Sequence, residues 1–429
     1  MIQPLPAVER RLRPWRDPLA VAAGLGDREG ALALRSDGGP LRRRSFVAAD
    51  PDWTGGEGGL DLLREPALSR GVVGLLAYDA GARPATGPRP TVWPDLMLAR
   101  YPAILTFDHH ERTVTVTGRG PDPASAARAA DRAESWLADA LEPPSPPPPA
   151  AVLEPEAPPE AYLAAVADVV ARIAAGELFQ ANIARAWGGE LRPGADPFDV
   201  LLRLAGRASA YGAFWRLGDR ALVSNSPELF LTFDAASRRI ETRPIKGTRR
   251  RDPDPAIDAA LAADLQASAK DRAENLMIVD LMRNDLARAA APGTVAVDRL
   301  FEIESHPTVH HLVSTVSATA AEGAGPADLL EATFPPGSIT GAPKHQAMKV
   351  IAAHEPPRGP WCGSLFHIHD EGGLTASVLI RTASFERSGG TWRFRTLAGA
   401  GIVADSDPAS ELAETEAKIL ALREALAGP

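Results

Sequence analysis

Apolar residues recur at helical spacing from residue 160 onward. In EAYLAAVADVVARIAAG, Leu163, Val166, Val170 and Ile173 lie three or four positions apart, and Gly176 follows them. This spacing predicts an amphipathic helix that ends at the glycine.

Shorter segments alternate in the manner of strands. In ELFQANIARAW, Phe179, Ala181 and Ile183 alternate with Gln180 and Asn182, which predicts one apolar face and one face that presents amides. The same reasoning predicts strands in RALVSN, LFLTFD, HHLVSTVSATA, ASVLIRTASFE and TWRFRTLAGAGIV. Because strands outnumber long helices, we expect an α+β fold with large antiparallel β-sheets and helices packed outside them.

A proline-rich segment, EPPSPPPPAAVLEPEAPP, interrupts these patterns. So many prolines disfavour both helices and strand pairing. We therefore predict an N-terminal α+β region at 1–142, a linker at 143–159, and a catalytic region at 160–429 that is interleaved with the N-terminal region.

Composition narrows the function classes. The net charge of -9 argues against nucleic acid as the main partner, and the single cysteine, Cys362, excludes an internal disulfide framework. The first residues have no apolar run typical of a signal peptide, and no stretch of about 18 apolar residues occurs. We expect a cytoplasmic protein that does not span a membrane.

Lysine is rare in this chain. Of 46 lysines and arginines only five are lysines, and Lys246 stands among arginines in TRPIKGTRRR. An arginine stays protonated, whereas a lysine amine can lose its proton and become a nucleophile. The alternative is a surface lysine in a solvated basic run.

Acidic residues on two predicted helices form a second candidate constellation. Glu274 lies in DRAENLMIVDLMRNDLAR, while Glu411, Glu414 and Lys418 follow the predicted N-cap Asp407 at helical spacing. An oxygen-only cluster of this kind suits Mg²⁺. The alternative is an ordinary helix start with an i,i+4 salt bridge.

Two glycine-containing segments are candidates for binding anions. FPPGSITGAPKHQAM leads into a predicted helix near Lys344, but it does not match a phosphate-binding loop because His345 follows the lysine. LAGAGIV contains Gly399 and Gly401, and Arg381 offers a two-pronged contact for a carboxylate. Plain turns and a surface arginine are the alternatives.

Taken together, the chain resembles the chorismate-utilising enzyme family. The resemblance runs in collinear order over residues 160–427, through the motifs ELFQANIAR, SPELFL, TRPIKGT, DRAENLMIVDLMRNDLAR, FPPGSITGAPK, IRTASF and AGAGIVADSDPASELAETEAK. It implies an anthranilate synthase component I-like fold. Within the family, PIKGT resembles the aminodeoxychorismate synthase component I branch, since anthranilate synthase component I usually has alanine at the lysine position.

This resemblance implies conversion of chorismate and ammonia to 4-amino-4-deoxychorismate, on the route to p-aminobenzoate and folate. Lys246 would attack C2 of the ring, and Glu228 would protonate the departing 4-hydroxyl. The pKa of Lys246 must then fall, through burial beside arginines and a cation, whereas Glu228 must keep its proton. Anthranilate synthase component I, or a non-catalytic paralogue, is the alternative.

The resemblance also implies a binding site and its ligands. Glu274, Glu411 and Glu414 would hold Mg²⁺. The residues expected to bind chorismate are Gln180, His311, Thr340, Gly341, Arg381, Gly399, Gly401 and Lys418. Isochorismate and salicylate synthases carry a lysine where this chain has Gln180. Trp361 replaces a tyrosine common in relatives, and His367 lies in a further segment that departs from the family pattern.

Ammonia needs a source. Cys362 lacks the glycine two residues earlier that a nucleophile on a sharp turn requires, so the chain is not expected to be its own glutaminase. We therefore predict a separate glutamine amidotransferase subunit as partner.

Overall fold

The computed structural model describes residues 2–36, 43–207, 209–306 and 309–428. The strands are β1 Ala7–Pro14, β2 Leu32–Arg35, β3 Arg44–Ala48, β4 Trp53–Gly55, β5 Val72–Leu76, β6 Leu96–Arg100, β7 Ala103–Asp108, β8 Thr113–Gly120, β9 Glu154–Pro155, β10 Gln180–Glu190, β11 Tyr211–Leu217, β12 Arg220–Ser226, β13 Leu229–Phe233, β14 Arg239–Thr242, β15 Ile245–Arg250, β16 Ala296–Ser305, β17 Val309–Thr319, β18 Gly341–Ala342, β19 Ser364–Ile368, β20 Leu374–Val378, β21 Thr382–Ser388 and β22 Thr391–Ile402. The helices are α1 Pro18–Ala23, α2 Tyr78–Thr86, α3 Pro123–Ala138, α4 Pro159–Ala174, α5 Pro197–Leu204, α6 Pro255–Ala267, α7 Ala269–Ala287, α8 Pro326–Thr333, α9 Lys344–His354 and α10 Pro408–Ala427.

Two antiparallel sheets form the framework. The first has the order β1-β8-β7-β3-β2-β11-β12-β21-β22-β10-β18, with β9 also paired to β10, and the second has the order β15-β17-β14-β13-β20-β19-β5-β6-β4, with β16 also paired to β17. Strands from 1–142 and from 160–429 lie in both sheets, and β9 comes from the predicted linker. The predicted fold class, large antiparallel sheets with helices packed outside, is confirmed.

Most predicted elements form, but the start of β10 differs from the prediction. The predicted helix is α4, and Gly176 follows it with a φ of 78°. Phe179, however, precedes the strand and is 68% exposed, whereas Gln180 is completely buried. Pairing begins only at Gln180, opposite Ala342, so the alternation assumed for residue 179 was wrong.

The chain crosses between the two sheets at two adjacent places. The predicted strand ASVLIRTASFE is in fact β20 in the second sheet and β21 in the first, separated by residues 379–381. Alongside it, β12 of the first sheet continues into β13 of the second through residues 227 and 228. Backbone hydrogen bonds join the crossings, from Asn225 N to Arg381 O at 2.9 Å and from Val378 N to Glu228 O at 3.1 Å. Glu228 and Arg381 therefore lie side by side on a double bend.

Buried side chains form the core around these sheets. Phe107 and Phe214 belong to the cluster around the first sheet, and Phe366 belongs to the cluster on the second sheet. Burial of a phenylalanine of this kind contributes roughly 1.5–3 kcal/mol. Among the described residues, no helix has both the length and the apolar character needed to cross a membrane.

An ion pair fixes the FPPGSITGAPK segment to α7. The Lys344 amine donates to Asp285 Oδ2 at 2.7 Å, to Thr333 O at 2.9 Å and to Pro335 O at 3.0 Å. Both charged side chains are largely buried, at 13% and 4% exposed. Lys344 therefore has protein partners here, and it holds the loop that precedes its own helix.

Replacing Lys344 with methionine should destabilise the protein by about 3–5 kcal/mol, because Asp285 would keep a buried charge without its partner. Denaturant unfolding measures the loss. Lys349→Met provides the control, since Lys349 lies on the same helix and is exposed. Equal midpoints for the two variants would contradict the proposed anchoring.

Candidate active site

Lys246 is aimed into the protein by a β-bulge. The register of β15 against β17 shifts between Ile245 and Thr248, and Gly247 adopts a φ of 89°. A bulge re-aims the neighbouring side chain, and a positive φ suits glycine. The glycine of PIKGT thus serves to direct the lysine.

The Lys246 amine lies between the two sheets. A Cβ atom added to Gly401 on β22 would lie 3.1 Å from both Lys246 Nζ and Gln180 Nε2. Burial lowers the pKa of Lys246, the charge of Glu274 opposes that change, and the charge of Lys418 adds to it. The amine is therefore held near one strand of each sheet, with a reduced tendency to carry a proton.

The arginines that follow Lys246 do not account for its lowered pKa. Arg249 pairs with Asp264 at 2.7 Å, and Arg251 pairs with Asp258 at 2.8 Å. The cation that contributes is Lys418 on α10. The prediction of burial and a nearby cation therefore holds, but the role given to the arginines was wrong, because carboxylates on α6 pair with Arg249 and Arg251.

Glu228 is buried at the double bend. It is 6% exposed, and its Oε1 accepts a hydrogen bond from Ser338 Oγ at 2.5 Å. Burial raises the pKa of Glu228, while the Ser338 hydroxyl and the charges of Lys246, Lys418 and Arg381 oppose the rise. A raised pKa favours the protonated form of the side chain, which is the form that a general acid needs.

Arg381 faces the same acid from the neighbouring crossing. Its φ of 51° is unusual for arginine, a conformation that costs on the order of 1–3 kcal/mol and is characteristic of functional sites. Burial lowers its pKa and the charge of Glu228 opposes that change. No hydrogen-bond partner for the guanidinium is found in the described residues, which leaves this group free for an anion.

The other predicted binding residues lie on or beside strands of both sheets. Both amide atoms of buried Gln180 lack a hydrogen-bond partner within the described ranges. His311 Nδ1 lies 2.9 Å from Thr248 Oγ1, and Thr340 Oγ1 donates to Pro336 O at 2.8 Å. Gly341 and Gly399 are glycines whose backbone lies very close to the backbone of β10.

Gly341 and Gly399 are required to be small. A Cβ on Gly341, whose φ is 137°, would lie 2.2 Å from Gln180 O, and one on Gly399 would lie 2.6 Å from Ile183 O. Gly399 O also accepts a hydrogen bond from Lys418 Nζ at 2.9 Å. This hydrogen bond joins the helix α10 to the strand β22 at Gly399.

The three predicted metal ligands come from two helices. Glu274 lies on α7 and Glu411 and Glu414 on α10, where Asp407 is the N-cap, as predicted. Glu411 Oε1 accepts from Ser406 Oγ at 2.7 Å, and Glu414 forms the i,i+4 ion pair with Lys418 at 2.5 Å.

The charges of these acids interact, but their side chains do not form a metal-binding group among the described residues. Burial raises the pKa of Glu274, and the charges of Asp271 and Glu411 add to that rise. Burial likewise raises the pKa of Glu411, with a further contribution from Glu414. Within the described part of the chain, no group of three or more metal-ligating side chains is close enough to hold an ion. The oxygen-only donors match the chemistry of Mg²⁺, which commonly uses one or two carboxylates with water or substrate oxygens.

Comparison with known proteins identifies the family of this chain. A family model described as chorismate binding enzyme matches residues 48–424. The chain belongs to the chorismate-binding enzyme family. Aminodeoxychorismate synthase component 1 of Escherichia coli is 39% identical over 357 residues, covering 81% of this chain and 75% of that protein. Anthranilate synthase component 1 of Thermus thermophilus is 36% identical over 373 residues, covering 84% and 78%.

A solved structure agrees with this assignment. Anthranilate synthase component I from Streptococcus pneumoniae superposes with a TM-score of 0.77 at 25% identity, covering 89% of this chain and 92% of that one. The predicted family is thus confirmed, and the protein is a chorismate-utilising enzyme. Aminodeoxychorismate synthase and anthranilate synthase components have similar identities to this chain. The overall identity therefore does not decide between the two reactions, and the side chains of the site have to be compared.

Sequence reasoning missed two hydroxyl groups that contact predicted site residues. Ser338 and Ser406 each donate to a carboxylate, Glu228 and Glu411 respectively. Ser338 lies in the turn Gly337–Ile339, two residues before Thr340, and Ser406 directly precedes the N-cap Asp407 of α10. No spacing rule links them to their partners, and the sequence separation of 110 residues between Glu228 and Ser338 hides that contact.

His367 lies away from Lys246. It lines a cavity of about 310 Å³ together with Phe46 and His369, and none of the predicted site residues lines this cavity. Trp361 is buried against Arg358, 5.0 Å from its guanidinium carbon. The departure of His367 from the family pattern therefore concerns this cavity and not the predicted site residues.

Adding a methyl group at Gly401 should impair chorismate turnover. In Gly401→Ala the new Cβ would lie 3.1 Å from the Lys246 amine, and this contact displaces the amine. Because small misplacements of reacting groups cost up to about a hundredfold, we expect kcat/KM to fall by that order while the unfolding midpoint stays constant.

Gly188→Ala is the matched control for that experiment. Gly188 lies on the paired strand β10, and its added Cβ would lie 3.3 Å from Phe394 O, outside the site. Chorismate consumption measures both variants. Wild-type kinetics in Gly401→Ala would show that the amine is not confined there.

Proposed function

We propose that this enzyme converts chorismate and ammonia to 4-amino-4-deoxychorismate through a covalent adduct on Lys246. The observation that carries the proposal is the placement of the Lys246 amine between the sheets, beside Gly401 and Gln180, with its pKa lowered by burial. Glu228, whose pKa burial raises, interacts electrostatically with that amine and supplies the acid.

The proposed reaction has two substitutions. The neutral Lys246 amine adds to C2, the ring double bonds shift, and the C4–O bond breaks while Glu228 transfers its proton to the departing oxygen, which leaves as water. Ammonia then adds at C4, the double bonds shift back, and the C2–N bond to Lys246 breaks. Gln180 replaces the lysine expected in enzymes that add water at C2, which disfavours hydroxylation.

The anionic substrate needs cationic and amide contacts. Arg381 and the backbone around Gly399 and Gly401 are the proposed contacts for the enolpyruvyl carboxylate. Glu274, Glu411 and Glu414 are the proposed ligands of Mg²⁺. Because these side chains do not form a ready cluster in the described residues, binding would require them to come together, and the bound ion would neutralise the ring carboxylate. The same ion would relieve the repulsion among these acids.

Removal of Mg²⁺ should stop turnover, and its return should restore it. Glu274→Gln should raise the Mg²⁺ concentration for half-maximal binding by at least about tenfold, as measured by titration calorimetry. Glu416→Gln on α10 is the control, because Glu416 pairs instead with Arg423 at 2.7 Å. Undiminished Mg²⁺ binding by the Glu274 variant would remove this carboxylate from the proposed metal site.

We also propose a separate glutamine amidotransferase as the source of ammonia. The name component 1 carried by the relatives supports a partner component. The purified chain should use ammonium salts but not glutamine, and addition of the amidotransferase should confer glutamine use. Glutamine-dependent activity of the chain alone would contradict this division of labour.

Product analysis tests the proposed reaction. Incubation with chorismate, Mg²⁺ and an ammonium salt should yield 4-amino-4-deoxychorismate, which becomes p-aminobenzoate only after a separate lyase is added. Direct release of anthranilate and pyruvate would instead identify an anthranilate synthase, the activity named for other relatives.

A further inference from the structure

Ser338 makes a buried hydrogen bond to the acid of the site. It lies in the short turn Gly337–Ile339, and its hydroxyl donates to Glu228 Oε1 at 2.5 Å. Ser338 is 7% exposed and Glu228 is 6% exposed. Among the described residues, Ser338 supplies the one side-chain hydrogen bond found for this carboxyl group.

The backbone around Ser338 is fixed from several sides. Asn182 Nδ2 donates to Ser338 O at 3.3 Å, and Thr340 N donates to Gly337 O at 3.1 Å. Gly337 packs so closely on α7 that an added Cβ would lie 2.4 Å from Leu281 Cδ2. The Lys344–Asp285 ion pair holds the same loop. The hydroxyl is therefore presented by a rigid segment.

A fixed donor has two effects on a carboxylic acid. The terminal torsion of a glutamate is broad, so one hydrogen bond to a fixed group restricts the orientation of both oxygens. A hydroxyl that donates to a carboxylate also favours the ionised form over the protonated form. The second effect grows as the acid loses its proton, because hydrogen bonds to charged acceptors are stronger.

We infer that Ser338 is a positioning residue for proton transfer: its hydroxyl orients the Glu228 carboxyl group and stabilises the carboxylate left when the proton moves to the departing 4-hydroxyl. This inference rests on the proposed function of Glu228. The O–H bond of Glu228 breaks, a new O–H bond forms on the departing oxygen, and water leaves. The Ser338 proton remains on its own oxygen throughout.

The test compares Ser338→Ala, Ser338→Thr and Ser377→Ala over a range of pH. In Ser338→Ala, kcat for chorismate amination should fall by up to about a hundredfold with KM nearly unchanged. The fall in activity at high pH should also move to higher pH, because the lost donor favoured the carboxylate and its removal raises the pKa of Glu228. Ser338→Thr, which retains a hydroxyl, should restore both properties.

Ser377→Ala is the matched control. Ser377 is also 7% exposed and donates one hydrogen bond, to Leu365 O at 3.2 Å. It should keep wild-type kcat and the wild-type pH profile. Ser338→Cys, a weak donor of similar size, should give an intermediate kcat and guards against unfolding of the alanine variant.

Three outcomes would overturn the inference. The first is a wild-type kcat in Ser338→Ala. The second is a fall in kcat in which the high-pH limb of the profile does not move. The third is a full further loss of kcat when Ser338→Ala is added to Glu228→Gln, because coupled residues should not act additively. Failure of the proposed function is distinguishable, because the wild-type enzyme would then make no 4-amino-4-deoxychorismate at all.

Discussion

Lys246→Ala should lower the formation of 4-amino-4-deoxychorismate by about a thousandfold or more, because no other group supplies the attacking amine. Lys246→Arg should be equally inactive, since a guanidinium keeps the positive charge but not the lone pair. Ammonium-dependent product formation from chorismate measures both variants. Release of anthranilate by the alanine variant would support the covalent reading, because ammonia would then add directly at C2.

Two controls separate chemistry from folding. Lys349→Ala removes an exposed lysine and should retain full activity. Mass spectrometry of wild-type enzyme quenched during turnover should find the adduct on the peptide that contains Lys246. Full C4 amination by Lys246→Ala would end the covalent mechanism, whatever product the wild type makes.

Glu228→Gln should lower kcat by roughly 10²–10⁴-fold, the range that general acid catalysis contributes. The amide keeps the size of the side chain but has no acidic proton. The variant should also lose the decline of activity at high pH, which in the wild type follows deprotonation of Glu228. Steady-state kinetics with chorismate over a range of pH checks both effects.

The matched control is Glu386→Gln. Burial also raises the pKa of Glu386, but this residue lies on β21 and is influenced by Arg220 and Arg395. Its replacement should leave the profile of activity against pH unchanged. A retained high-pH decline in Glu228→Gln would assign that titration to another group.

The signs of the two site pKa changes together determine the pH dependence. Lys246 must be neutral to attack, so activity rises as pH rises through its lowered pKa. Glu228 must be protonated, so activity declines as pH rises through its raised pKa. A bell-shaped profile therefore follows, and its two limbs belong to the coupled pair.

Much of the site was predictable because its chemistry is local in sequence. The rarity of lysine singled out Lys246, and the N-cap and i,i+4 spacing placed Glu411, Glu414 and Lys418 on α10. Family motifs supplied Glu228 and Arg381 as partners. The positions of these residues relative to one another came only with the fold.

What escaped prediction depends on contacts that are distant in sequence. The apolar pattern of ASVLIRTASFE is continuous, so it hides the passage of the chain from one sheet to the other just before Arg381. Arg249 is neutralised by carboxylates on α6 and α7, and the pairing of β10 with β18 starts at Gln180, one residue after Phe179. The Mg²⁺ site stays a prediction.

The double bend holds Glu228 and Arg381 in fixed positions relative to each other. Because Glu228 and Arg381 are built into two covalent bridges between the sheets, and these bridges are hydrogen-bonded to each other, the acid and the anion-binding arginine form one fixed wall. Lys246 and the acids on α7 and α10 lie on other elements, outside those two bridges. The leaving-group side of the proposed site is therefore expected to be in place before the ring arrives.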